Sequence, residues 1–162
     1  MRKNTRIGDV FSAQVCVSGK KYLQYIANDL TQLNGDVIRA FSRIYPIAAN
    51  PGLSEVVNDT VDFYAHCVTK WGIKYGFWER VGNIGEVGPT DHILFRSSAD
   101  YGNPEVKVSH NWWVWKINAQ QQYVGTLKEA YHGAEIGAIM DPESIVARMS
   151  TGSYDGFYPD YE

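Results

Sequence analysis

Four histidines are the side chains best suited to acid–base or metal chemistry near neutral pH. They are His66, His92, His110 and His132. None belongs to an HxH or HxxxH pair, the spacings that place two imidazoles on one face of a strand or helix. Strands distant in sequence could still bring His66, His92 and His110 together, so these three are the predicted ligands if a metal site forms. The other interpretation is that they are half-buried histidines with hydrogen-bond partners, and no cofactor is predicted.

A nucleophile is not indicated either. Cys67 directly follows His66, but neighbours along a strand point to opposite faces. The Gly-x-Ser-x-Gly motif of the hydrolase nucleophile is absent from the sequence. The glycine-rich stretch 82–88 lacks the lysine of a phosphate-binding loop and is predicted to be an ordinary loop. We therefore predict no catalytic residue and interpret the chain as a binding protein rather than an enzyme.

A run of three tryptophans in residues 112–115 is the strongest aromatic signal. Strand alternation places Trp113 and Trp115 on one face and Trp112 on the other. At least two of the three are expected in the core. The remaining one could form a groove or a partner surface, because tryptophan is enriched in binding hot spots.

The last ten residues, 153–162, combine three Tyr, one Phe and three acidic residues with no basic residue. The segment is either a loosely packed terminus or an interaction arm for a basic partner, since matched charge speeds encounter. The predicted partner-binding residues are exposed aromatic side chains and their acidic neighbours: Tyr101, Trp112, Tyr154, Asp155, Tyr158 and Asp160.

Short segments in which polar and apolar residues alternate indicate the strands that must position these side chains. The predicted strands are 10–17, 22–27, 37–41, 61–69, 73–81, 93–95, 106–108, 112–117, 123–127 and 136–139, with helical turns within 50–58. A helix is predicted at about 142–151, because Asp141 can cap it, Pro142 suits its first position and Gly152 ends it. The predicted fold is mainly β (α+β), a strongly bent antiparallel sheet or partly open barrel of about 7–9 strands with one C-terminal helix.

Composition limits the classes of protein that remain. The 162 residues are 44% hydrophobic and 20% charged. This composition favours a single folded domain that spans residues 1–162. No apolar run approaches the roughly 18 residues that span a bilayer, and the basic start is followed by polar residues, unlike a signal peptide. Cys16 and Cys67 lack metal-ligand spacing and are predicted to be buried thiols of a cytoplasmic protein. The net charge of −3 argues against nucleic acid as a partner.

Several short strand motifs resemble the immunity protein 26 family, which also carries a phosphotriesterase-type label. The resemblance extends from about Ile7 to Leu127, with a looser match to the tail. It is carried by residues 3–11 (K-N-T-R-I-G-D-V-F), 22–25 (Y-L-Q-Y), 37–41 (V-I-R-A-F), 82–83 (G-N), 95–96 (F-R), 112–115 (W-W-V-W) and 124–127 (V-G-T-L). The resemblance implies a bacterial immunity protein that binds and neutralises a cognate secreted toxin, with no membrane partner.

Two alternatives remain open at this point. One is a phosphoester hydrolase with a His/Asp metal site, as the second family label suggests. The other is a β module that binds a small ligand or single-stranded nucleic acid by stacking on the tryptophans.

Overall fold

The computed structural model describes residues 4–162, so residues 1–3 of the predicted domain lie outside the described part. Eleven strands and three helices follow one another along it. The strands are β1 (Asp9–Gln14), β2 (Gly19–Asp29), β3 (Gly35–Phe41), β4 (Tyr45–Pro46), β5 (Val61–Cys67), β6 (Glu79–Asn83), β7 (Leu94–Ser98), β8 (Trp112–Lys116), β9 (Gln122–Gly125), β10 (Glu135–Ile136) and β11 (Ile139–Met140). The helices are α1 (Leu53–Val57), α2 (Thr69–Lys74) and α3 (Pro142–Thr151).

The strands form two sheets, and neither closes into a barrel. The larger has seven strands in the order β11-β5-β3-β2-β1-β6, with β4 paired to β2. The smaller has four strands in the order β10-β7-β8-β9. Eight strands have four or more residues and the other three have two each. The mainly β, α+β class with an open sheet and a C-terminal helix is therefore confirmed.

The antiparallel meander β1-β2-β3 is the centre of the larger sheet. The turn between β2 and β3 contains the pair Asn34-Gly35, a common turn signal, and its positive φ angles fall on Leu33 (55°) and Asn34 (53°). Asparagine tolerates the left-handed region better than most residues, whereas leucine does not. The turn therefore begins one residue earlier than the Asn-Gly signal indicates.

Both faces of the larger sheet are buried. One face carries Phe11, Leu23, Ile38 and Phe63 and packs against α3. The opposite face carries a second cluster that includes Val10, Tyr22, Phe41, Val56 and Val57, and a third that joins the two sheets through Ile26, Val37, Ile93, Phe95 and Trp115. Because apolar residues occupy both faces, strict alternation of polar and apolar positions is weak in β1 and β3.

The region predicted as a strand over 73–81 is largely not one. Helix α2 occupies Thr69–Lys74, and only residues from Glu79 onward pair with β1. Ile73, Phe77 and Trp78 pack into the cluster under α3, so burial of these side chains selects the helical turn over an extended run. The prediction of a strand at 73–78 was wrong for this reason.

Helix α3 matches its predicted bounds. The Asp141 carboxylate accepts a hydrogen bond of 2.7 Å from the Ser144 backbone N–H, and Gly152 ends the helix with φ of 91°. Ile145 and Met149, one turn apart, are buried against the larger sheet. No helix in residues 4–162 has the length and apolar character needed to cross a bilayer.

Candidate functional site

The C-terminal tail, residues 153–162, is docked on the protein rather than loosely packed. The Gly102 N–H donates to the Phe157 carbonyl at 2.7 Å. The Asp160 N–H donates to the Lys107 carbonyl, and the Ser109 N–H donates to the Asp160 carbonyl, both at 2.9 Å. These backbone bonds tie the tail to the loop between β7 and β8.

Tyrosine rings of the tail add packing to these bonds. Tyr158 lies edge-on to Tyr101 with 5.2 Å between ring centroids, and its hydroxyl donates to the Met140 sulfur at 3.4 Å. Tyr154 lies edge-on to Phe63 at 6.2 Å. The tail therefore bridges the smaller sheet and the core beneath α3.

The six predicted partner-binding residues divide into three groups by exposure. Asp155 and Asp160 are exposed, whereas Tyr101, Tyr154 and Tyr158 are half-buried. Trp112 is completely buried, and its indole N–H donates to the Ser109 carbonyl at 2.8 Å. The expectation that Trp112 is exposed was wrong, because it lies in a buried cluster against which Tyr101, Tyr131 and Tyr161 of the tail and neighbouring loops pack.

An exposed aromatic side chain that the sequence did not single out lies at the docked tail. Phe157 is 56% exposed and lies between Asp155 and Asp160 in the chain, and its carbonyl accepts the Gly102 N–H of the β7–β8 loop. That loop carries two further acidic residues, Asp100 and Glu105, together with Lys107. We call this the loop–tail surface and define it by Asp100, Glu105, Asp155, Phe157 and Asp160. Asp100 is held in place by the Ser109 hydroxyl, which donates to it at 2.6 Å, and by the Asn111 amide at 3.3 Å. These hydrogen bonds lower the pKa of Asp100.

An exposed pair of aromatic side chains lies on the smaller sheet. Trp113 on β8 and Tyr123 on β9 are cross-strand neighbours whose ring centroids are 5.1 Å apart. Trp113 is 39% exposed and Tyr123 is 56% exposed. The tryptophan that faces solvent is thus Trp113, while Trp112 and Trp115 are buried.

A cleft of about 480 Å³ opens where α3, β7, β10 and the tail meet. We call it the Arg–Tyr cleft, after the side chains that characterise its wall: Arg96, His132, Glu135, Arg148, Tyr154, Tyr158 and Tyr161. Strand pairing brings Arg96 beside Ile136, next to Glu135, and α3 supplies Arg148. The tail supplies all three tyrosines.

The two arginines of the cleft are held differently. Arg148 makes a 3.1 Å ion pair with Glu135, and its guanidinium lies 4.1 Å from the Phe63 ring centroid. Arg96 lies between the rings of Trp112 and Tyr161, at 5.5 and 5.0 Å, and donates to the Ala134 carbonyl at 3.0 Å. Burial raises the pKa of Glu135 despite the nearby Arg148.

The three histidines considered as metal ligands do not meet. His66 is completely buried and bonded to Asp29, His92 is exposed and lies 3.4 Å from the Tyr64 hydroxyl, and His110 is exposed on the loop before β8. Within the described part of the chain, no three His, Cys, Asp or Glu side chains are grouped where they could hold a metal ion.

The His66–Asp29 pair lies at the junction of the two sheets. The Asp29 carboxylate also accepts hydrogen bonds from the Trp115 indole at 2.9 Å and from the Asn118 backbone at 3.0 Å. Burial acts to raise the pKa of Asp29, but these bonds and those from Thr31 outweigh it and lower the pKa. Burial lowers the pKa of His66 in spite of its carboxylate partner. Both side chains are completely buried, so the pair is suited to a structural role in holding the two sheets together.

The two cysteines differ in their exposure to solvent. Cys67 is buried on the face of β5 opposite His66, and burial raises the pKa of its thiol well above the ordinary value. Cys16 is exposed, so the prediction that both thiols are buried was wrong for this one. Neither is bonded to another cysteine.

Sequence reasoning predicted Tyr101, Tyr154, Asp155, Tyr158 and Asp160, which lie at the docked tail or its loop, as partner-binding residues. It did not name Phe157, Arg96, Glu135 or Arg148. The arginines are far apart in sequence, and no local spacing signals their convergence. Phe157 could have been found, because it lies between Asp155 and Asp160 in the segment that was already singled out.

Comparison of the chain with family models, with curated proteins and with solved structures gives no match.

Proposed function

We propose that this protein is an immunity protein that binds a cognate protein toxin stoichiometrically and neutralises it. The resemblance of its strand motifs to the immunity protein 26 family suggests this role. The observation that carries the proposal is the loop–tail surface, where an exposed phenylalanine is flanked by acidic side chains on an ordered segment.

The chemistry of the loop–tail surface suits a basic protein partner. Asp155 and Asp160 are exposed on either side of Phe157 in the tail, and Glu105 is exposed on the adjoining loop. Aromatic side chains in the middle of an interface contribute most of the binding energy, while charges at the rim speed encounter and select the partner. A toxin would therefore present a basic surface with an apolar recess for Phe157.

Order in the tail favours this role as well. Binding by a flexible arm loses conformational entropy when the arm becomes fixed. Here the backbone bonds between the tail and the loop, such as that from Gly102 to Phe157 at 2.7 Å, fix the segment before any partner arrives. A surface of this kind can contribute to a standard interface of about 1,600 Å² in total.

We place the protein in the cytoplasm as part of the same proposal. Cys16 is exposed and Cys67 is buried, and both are free thiols. An exposed free thiol suits a reducing compartment, which is where a toxin would be neutralised in the producing cell.

Co-expression with the toxin encoded by the neighbouring reading frame tests the proposal. The wild-type protein is expected to protect the cells and to co-purify with the toxin in a fixed ratio. If the toxin still kills while this protein is folded and abundant, the proposed function is wrong.

Substitutions at the loop–tail surface locate the contact. Phe157→Ala and the charge reversal Asp155→Lys are expected to weaken the complex and to reduce protection. The matched controls are Tyr75→Ala, an exposed aromatic at the C-terminal end of α2, and Asp62→Lys at an exposed position on β5. If the controls weaken the complex as much as the tail variants do, the toxin binds another surface.

A further inference from the structure

The Arg–Tyr cleft has the volume of a small-molecule site. Its volume of about 480 Å³ falls within the range of roughly 300–1,000 Å³ that is typical of ligand pockets. Its wall is assembled from four separate elements, β7, β10, α3 and the tail. No residue used in the proposed toxin contact at the loop–tail surface, as defined above, lines this cleft.

Positive charge predominates in the cleft. Arg96 and Arg148 both line it. Glu135 is the only carboxylate among the lining residues, and it is already paired with Arg148 at 3.1 Å. Glu162 lies just outside, 3.7 Å from His132. The Arg96 guanidinium has no carboxylate partner within the salt-bridge distance in residues 4–162.

Buried polar atoms without a hydrogen-bond partner are also found among the residues of the cleft. Four buried side-chain nitrogen or oxygen atoms in the described residues make no hydrogen bond, and two of them, Arg96 Nε and the Tyr154 hydroxyl, belong to residues that line the cleft. Leaving a buried donor without an acceptor costs about 1–3 kcal/mol. Such groups in a native fold commonly serve a ligand or an ordered water.

We propose that the Arg–Tyr cleft binds a small molecule through an oxyanion group, a phosphate or a carboxylate. Arginine suits this chemistry because its planar fork donates two parallel hydrogen bonds to such a group. The oxyanion contacts Arg148 and Arg96, and the tyrosine rings enclose the rest of the molecule. This site shares the tail with the toxin contact proposed above but none of the residues that define that contact.

Isothermal titration calorimetry of the purified protein with inorganic phosphate and, separately, with succinate tests the proposal. The two probes distinguish a phosphate ligand from a carboxylate ligand. Sodium chloride at matched ionic strength is the reference, because it gives the heat that comes from screening of charges without binding to a site. Saturable binding of at least one probe, with one site per chain, is the expected result.

Two substitutions in the cleft make the test specific. Arg148→Gln removes a donor and is expected to weaken binding of the probe by about tenfold or more. Glu135→Gln removes the competing carboxylate and frees Arg148, so it is expected to strengthen binding several-fold. An increase in affinity on loss of an ion pair would not result from a merely structural role.

The exposed ion pair between Arg43 and Glu55, 3.0 Å long, provides matched controls. Arg43→Gln and Glu55→Gln are expected to leave binding of both probes unchanged. Absence of saturable binding of either probe at a Kd of about 1 mM or tighter overturns the proposal. Binding that neither cleft variant alters also overturns it, and circular dichroism confirms that each variant is folded.

Discussion

The Nε2 atom of His66 lies 2.9 Å from the Oδ2 atom of Asp29, and neither side chain is exposed to solvent. The same carboxylate oxygen accepts the Trp115 indole N–H at 2.9 Å. Asp29 ends β2 and His66 lies on β5, both in the larger sheet, whereas Trp115 lies on β8 of the smaller one. A buried carboxylate therefore joins the two sheets.

Stability is expected to fall on acidification because of this joint. Burial lowers the pKa of His66 below its ordinary value of 6.5, so the unfolded chain binds more protons than the folded one below that pH. The stabilisation is fully present above pH 6.5 and is lost progressively as the pH falls toward the folded pKa. Urea unfolding at a series of pH values measures this slope.

His66→Gln provides the comparison, since glutamine can still donate to Asp29 but does not titrate. The variant is expected to show a flatter dependence of unfolding free energy on pH below the ordinary imidazole pKa. Glu135 has the opposite effect on the pH dependence of stability. Burial raises its pKa, so in the pH range where Glu135 titrates the folded state binds more protons than the unfolded state. Equal slopes for the wild-type protein and the variant would contradict the prediction.

Asp29→Asn is expected to destabilise the fold by about 1–3 kcal/mol or more, because each buried donor that loses its acceptor costs about that amount. The amide has one acceptor oxygen, so donors from Thr31, Asn118, His66 and Trp115 cannot all be satisfied. The free energy of unfolding from urea titration measures the loss. Asp62→Asn, at an exposed position near the start of β5, should change it by no more than about 0.5 kcal/mol.

Trp112 and Trp113 are adjacent but should differ strongly on substitution. Trp112→Ala removes a completely buried indole and is expected to cost about 3–5 kcal/mol. Trp113→Ala loses a partly exposed ring and its contact with Tyr123, which is worth about 0.5–1.5 kcal/mol beyond area burial. Equilibrium unfolding separates the two values, and equal losses would show that the assignment of faces on β8 is wrong.

Gly72→Ala is expected to destabilise the protein by about 3 kcal/mol through overpacking. A Cβ atom at this position would overlap the Trp78 ring, which is held by its indole hydrogen bond of 3.0 Å to the Thr69 carbonyl. Thermal unfolding monitored by tryptophan fluorescence measures the effect. Gly85→Ala is the control, because nothing lies within 4 Å of its added Cβ atom, and its effect should stay within about 1 kcal/mol.

Local patterns predicted much of the fold. The capping carboxylate of Asp141, the proline after it and the glycine at 152 defined α3, because each of these residues acts on the backbone within a few positions of itself. The strands predicted at 10–17 and 22–27 are found as the antiparallel pair β1 and β2, and those predicted at 112–117 and 123–127 as the pair β8 and β9. In contrast, Ile73 to Trp78 was misassigned, since burial under α3 overrides the β propensity of these residues.

Local chemistry thus determined the fold class, the helix caps and the absence of any short-range catalytic motif. Only the tertiary structure decided which tryptophan faces solvent, that the tail docks with Phe157 outward, and that Arg96 and Arg148 line one cleft. Contacts between residues so far apart in the chain depend on how two sheets and a terminal segment pack together. Periodicity along one strand carries no information about that packing.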